Sequence, residues 1–251
     1  MNKNTFKKIT WTLAVAGGVL ASVASDNHPG TWISATASGC LDTNRLFKVQ
    51  IKEENRFTEK HLSEVHSQIS VGYKLTDWFE IAPRAHVVYL RNDSLEGRSQ
   101  KSSHISGKKV DHGWDRELRV GADATFSHNL YGWKLSDRNR VVWREYEDEQ
   151  GFWRVRNRFQ VVSPWKWTEY KINPYTSFEL FWDDGKASKN LNKNDKFDQW
   201  RFIAGTKVAL TKRISLDLYY LLQEKKSGTY DANGGAWDDN QIIGLDLGFT
   251  F

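Results

Sequence analysis

The chain has 251 residues, with 36 Lys and Arg against 31 Asp and Glu, a net charge of +5 and a mean hydropathy of −0.65. Low hydropathy and high charge alone would suit a disordered chain, but 12 Trp, 9 Tyr and 13 Phe exclude one. A single cysteine, Cys40, excludes an intrachain disulfide.

In chain order, the first 24 residues stand apart. Lys3, Lys7 and Lys8 form a basic start, and "LAVAGGVLASVA" (13–24) is an apolar run ending on small residues, Ser22 and Ala24. This pattern predicts a secretory signal peptide over 1–24, with one domain over 25–251. The competing reading, an uncleaved anchor, is opposed by the shortness of the run. Loss of the leader removes those lysines and no acid, leaving a net charge of +2. The basic isoelectric point is therefore partly a property of the leader, and no nucleic-acid partner is expected. Cys40 lies in "TASGC", loosely like a lipoprotein cleavage box, but polar "SDNHPGTW" separates it from the apolar run. A free thiol is the simpler expectation.

Beyond the leader, period-two alternation dominates. Val65, Ile69, Val71, Tyr73 and Leu75 oppose His66, Gln68, Ser70, Gly72 and Lys74. Phe79, Ile81, Ala85, Val87 and Tyr89 oppose Glu80, Arg84 and His86. Leu118 to Phe126, Trp200 to Leu210, Ile214 to Leu222 and Ile243 to Phe251 repeat the pattern. Further alternating segments cover roughly 46–58, 133–146, 152–163 and 170–183, with a less regular one at 31–39. These segments are longer than usual strands of soluble sheets and suit a tilted membrane crossing. The connectors alternate too. "LTDW" (75–78), "HNLYG" (128–132), "SPWKWTE" (163–169) and "LTKR" (210–213) are short; polar stretches at 92–113, 183–196 and 225–240 are long. Tyr73, Trp78, Tyr131, Trp133, Trp165 and Trp167 cluster beside the short turns, where an interfacial girdle would lie.

These features predict an all-β fold, a transmembrane antiparallel β-barrel of 10–12 strands in a cell outer membrane. A soluble β-sandwich or propeller is the alternative, since it also has alternating strands. An even strand number is expected. Either 31–39 lies outside the ring, giving ten, or a strand is split or missed, giving twelve.

The stretches "FKVQIKEENRF" (47–57), "LSDRNRVVWREYE" (135–147), "WRVRNRFQV" (153–161), "INPYTSFELFW" (172–182), "RFIAGTKVALTKRISLDLYYLLQ" (201–223) and "IIGLDLGFTF" (242–251) carry a family resemblance. From Trp32 to Phe251 the chain resembles the outer-membrane β-barrel family catalogued as domain of unknown function 2490. The resemblance implies a barrel in a Gram-negative outer membrane and brings no activity or catalytic residues. Terminal Phe251 looks like the C-terminal aromatic signal by which such barrels reach their insertion machinery.

Arginines carry the functional expectation. Arg138, Arg140 and Arg144 share one parity; Arg154, Arg156 and Arg158 share one on the next strand. Val141 and Trp143, then Val155, Phe159 and Val161, hold the opposite faces, so both rows should point into the lumen, side by side. Like charges so placed repel. One reading offsets them with inward acids: Glu117 and Asp123 before, Glu179 and Asp183 after, with Asp217, Asp246, Glu54 and Glu80 also inward. The other has an anionic small solute, since arginine forks match carboxylates and phosphates. Arg201 lies inward by the same parity. These readings predict a porin-like channel favouring anionic solutes, against a non-conducting barrel closed by salt bridges.

A lipid-modifying barrel enzyme is the third reading, and no enzyme is expected. His66–Ser67 and Ser127–His128 are adjacent in sequence, so period two sends them to opposite faces. His66 and His86 face one another across strands but lack a third ligand, so no metal and no cofactor are expected. Lys101, Lys108 and Lys109 are read as solvated loop residues or as contacts to lipopolysaccharide. Outer-membrane lipid is the remaining partner expected.

Overall fold

The computed structural model describes residues 30–58, 61–91, 113–147, 151–165, 171–184, 196–226 and 237–251. The predicted leader, Lys101, Lys108, Lys109, His104, His112 and Trp167 lie outside the described residues.

Alternation sets the architecture, because each strand must present one apolar and one polar face. The strands are β1 (Gly30–Cys40), β2 (Phe47–Phe57), β3 (Leu62–Lys74), β4 (Phe79–Arg91), β5 (Trp114–Leu130), β6 (Trp133–Tyr146), β7 (Phe152–Val162), β8 (Asn173–Asp183), β9 (Phe197–Ala209), β10 (Ile214–Lys226) and β11 (Trp237–Thr250). They close into one barrel, each pairing with its neighbours in sequence and β1 with β11. Closure satisfies every strand edge, which hydrocarbon requires of a spanning sheet.

Eleven strands fall within the expected 10–12, and only the expected even count is corrected. The 31–39 segment is neither outside the ring nor a sign of a missed partner; it is β1 and makes the eleventh strand. β1 pairs antiparallel with β2 but parallel with β11, from Gly30↔Ile242 to Ser38↔Thr250. An all-antiparallel ring needs an even count, and one parallel joint absorbs the odd strand. The Phe251 N–H donates to the Ser38 carbonyl at 3.1 Å, so the last residue ties β11 to β1.

The turns follow local chemistry. β5 continues through Leu130, so its hairpin to β6 is the two-residue Tyr131–Gly132 rather than the longer 128–132. Both have positive φ, 50° and 85°, the type I′ geometry that matches strand twist and that glycine adopts without strain. In the β1–β2 turn the Asp42 carboxylate accepts from the Phe47 and Leu46 backbone N–H groups at 2.8 and 3.1 Å. The Phe47 N–H is the main reason the Asp42 carboxyl is held below its usual value.

Apolar side chains cover the outside: Ile51, Ile69, Val120, Val141, Val155 and Phe178 are among the exposed ones. Aromatic pairs mark both ends. Phe47–Tyr73, Phe79–Phe126 and Trp133–Trp165 lie at the short-turn end, and Trp143–Trp153 and Trp182–Phe197 at the other. An apolar wall between two aromatic girdles is the surface a bilayer demands, and a soluble sandwich would bury it.

Candidate functional site: a charged lumen

Inward residues form an apolar patch and an ionic wall, which share β8 and β9. On β8 to β11, Tyr175, Ile203, Leu221 and Ile242 pack as a buried cluster, with Trp32 of β1 and Tyr219 against it. Tyr219 lies flat over Gly244, where a Cβ would come within 1.9 Å of the ring. Only glycine allows that approach.

The wall from β4 to β9 is ionic. The register sets Arg138 opposite Arg158 and Arg140 opposite Arg156, so the two rows lie side by side. Asp123 accepts from Arg140 Nε and Nη2 at 2.6 and 2.9 Å and from Arg84 Nη1 at 3.1 Å. Glu117 binds Arg144 and also Arg119, at 2.6 Å from Nη2. Arg154 grips Asp183 through two N–H···O contacts of 2.5 and 2.6 Å and reaches Asp198 at 2.8 Å. Glu179 sits at the centre: Arg156 binds it directly, with Arg158 at 3.4 Å and Arg201 at 3.7 Å. Arg138 meets no carboxylate among the described residues. Glu117 and Glu179 are both 0% exposed, which is tolerable only because guanidinium groups enclose them.

Aromatic faces steady the cations. The Arg56 guanidinium lies 3.9 Å from the Trp32 ring centre and that of Arg201 5.1 Å. Phe181 lies under Arg156 and Arg201 at 5.1 and 4.8 Å. Guanidinium over an aromatic face is a favourable contact in a water-poor site.

A second polar group occupies β2 to β4. Glu64 accepts from Arg56 at 2.9 Å and from His66 Nε2 at 2.7 Å, while His66 Nδ1 meets His86 Nε2 at 3.0 Å. A carboxylate only accepts, so His66 carries its proton on Nε2. In neutral His66 the Nδ1 then accepts from the His86 Nε2–H. Among the described residues no group of three or more His, Cys, Asp and Glu could hold a metal ion.

The acids expected as partners, Glu117, Asp123, Glu179 and Asp183, all take that role. Arg84, Arg119, Arg56, Asp198 and Trp32 were not anticipated. Parity places Arg84 and Arg119 inward, but it does not tell which carboxylates they share. Asp198 escapes parity because the β8–β9 register shifts at Phe181/Trp182.

An apolar exterior around a charged interior defines a transmembrane β-barrel. The family described as "Protein of unknown function (DUF2490)" matches residues 29–233, and this chain belongs to it. That match spans β1 to β10. A solved structure titled "NanC porin structure in rhombohedral crystal form" is similar, with a TM-score of 0.49 and 10% identity over 89% of this chain and 99% of that one. No curated protein matches the chain in sequence.

Proposed function

We propose that the protein is a narrow outer-membrane channel that favours small anions and performs no catalysis. One observation carries this reading: the imbalance of charge on the ionic wall. Among the described residues, Asp123 and Glu179 are the only carboxylates that pair with Arg84, Arg140, Arg156, Arg158 and Arg201, and none pairs with Arg138. The surplus cations raise the local concentration of anions, and charged rings set selectivity in pores. Arg138, held by no carboxylate among the described residues, is the group that meets a passing carboxylate or phosphate. Cys40 is an exposed free thiol.

A second reading, a non-conducting barrel, has its own observation. Glu117 and Glu179 are wholly buried, and an apolar cluster fills part of the lumen beside Glu179. Planar-bilayer recording separates the two. The channel reading expects single-channel current with a reversal potential favouring chloride over potassium, reduced in Arg138→Gln. No current at any voltage favours the closed barrel instead.

A further inference from the structure

The outer wall carries a polar group where hydrocarbon is expected. On β6 the outward series runs Trp133, Leu135, Asp137, Asn139, Val141, Trp143. The tryptophans belong to the two girdles, so Asp137 and Asn139 lie midway between them. With about 3.3 Å of rise per residue and a tilt of roughly 40°, they sit about 10–15 Å from the short-turn end of a belt about 25 Å tall. Asn157, outward on β7, is the register partner of Asn139.

Their hydrogen bonds leave a specific remainder. Asn157 Nδ2 donates to Asp137 Oδ1 at 2.6 Å and to Asn139 Oδ1 at 2.9 Å, using both of its N–H groups. Asn139 Nδ2 donates to Asp137 Oδ2 at 3.1 Å. One N–H of Asn139 and the Oδ1 of Asn157 find no partner among the described residues. Lipid tails supply neither a donor nor an acceptor, and polar groups at this depth are costly unless they meet protein.

We propose that this face of β6 and β7 docks a second copy of the same chain. Two barrels in one membrane share an orientation, so a two-fold axis relating them runs along the membrane normal. On that axis β6 of one copy faces β7 of the other at equal depth. The free N–H of Asn139 then meets the free Oδ1 of Asn157 in the other copy, twice over, as an isologous contact requires. Outward Ala122 and Ala124, the register partners of Val141 and Asn139 on β5, keep the surface shallow enough for close approach. Val141, Val155 and Phe159 give an apolar surround.

A comparable outward carboxylate stands elsewhere: Glu53 on β2 accepts from Ser67 on β3 at 2.8 Å. It lacks the paired amides and serves as the control. The test uses the full barrel in phosphatidylethanolamine–phosphatidylglycerol vesicles, with energy transfer between differently labelled copies at falling protein-to-lipid ratios. Wild type is expected to self-associate. Asn139→Val with Asn157→Val should weaken association about tenfold or more, as expected for two lost hydrogen bonds in lipid. The variant should keep the heat-modifiable gel shift of a folded barrel, and Glu53→Gln with Ser67→Ala should associate like wild type. Monomeric wild type at every ratio overturns the proposal, as does unchanged association in the paired asparagine variant or loss of association in the Glu53 control.

Discussion

The two walls of the lumen solve one packing problem by opposite means. Across β8 to β11 one inward patch behaves like a soluble core: Leu221 is 1% exposed and clusters with Tyr175, Ile203 and Ile242. From β4 to β9 the same depth is filled by guanidinium and carboxylate groups. Truncating an aliphatic member of the apolar patch loses contacts and leaves a cavity. The ionic wall has no such tolerance, because removing one carboxylate leaves several buried cations facing each other. Non-directional contacts tolerate loss; charges excluded from water do not.

The sharpest way to break this contrast is Glu179→Ala, which strands Arg156, Arg158 and Arg201. It should destabilise the barrel by about 3–5 kcal/mol in urea titrations in lipid vesicles. Next is Leu221→Ala on the apolar wall, expected to cost about 2–4 kcal/mol in the same assay. If Leu221→Ala proved the more damaging, the contrast between the walls would be wrong. Gly244→Val would force the Tyr219 ring off the wall, an overpacking cost of about 1–3 kcal/mol read the same way.

The smallest effect is Asp42→Ala, outside both walls. The folded-state pKa of Asp42 is depressed, chiefly by the Phe47 N–H. Its stabilisation is therefore present above the ordinary value of 3.8 and lost as pH falls through the lower folded value. Wild type and Asp42→Ala should differ slightly at neutral pH and converge at the acid end of a pH series of unfolding curves.

Much of the site was legible because period two is a strict rule. It places Arg138, Arg140, Arg144, Arg154, Arg156 and Arg158 on one side of the sheet, with Glu117, Asp123 and Glu179 beside them. The same parity sends Asp137, Asn139 and Asn157 outward. Yet the eye follows Val141 and Trp143 and passes over polar residues on an apolar face. Which cross-strand partners meet was not legible. That Asp123 serves Arg84 as well as Arg140, or that Glu179 reaches Arg201, depends on register, which turn lengths and bulges set.

Sequence by itself determined which side of each strand faces hydrocarbon, where the girdles fall, and that arginines crowd the interior. Those outcomes follow from alternation along one strand, a property of the local chain. Only the tertiary structure decided that the ring has eleven strands, that β1 closes it parallel to β11, and which carboxylate answers which arginine. Ring closure joins the first and last strands, and no local pattern encodes the direction in which they meet.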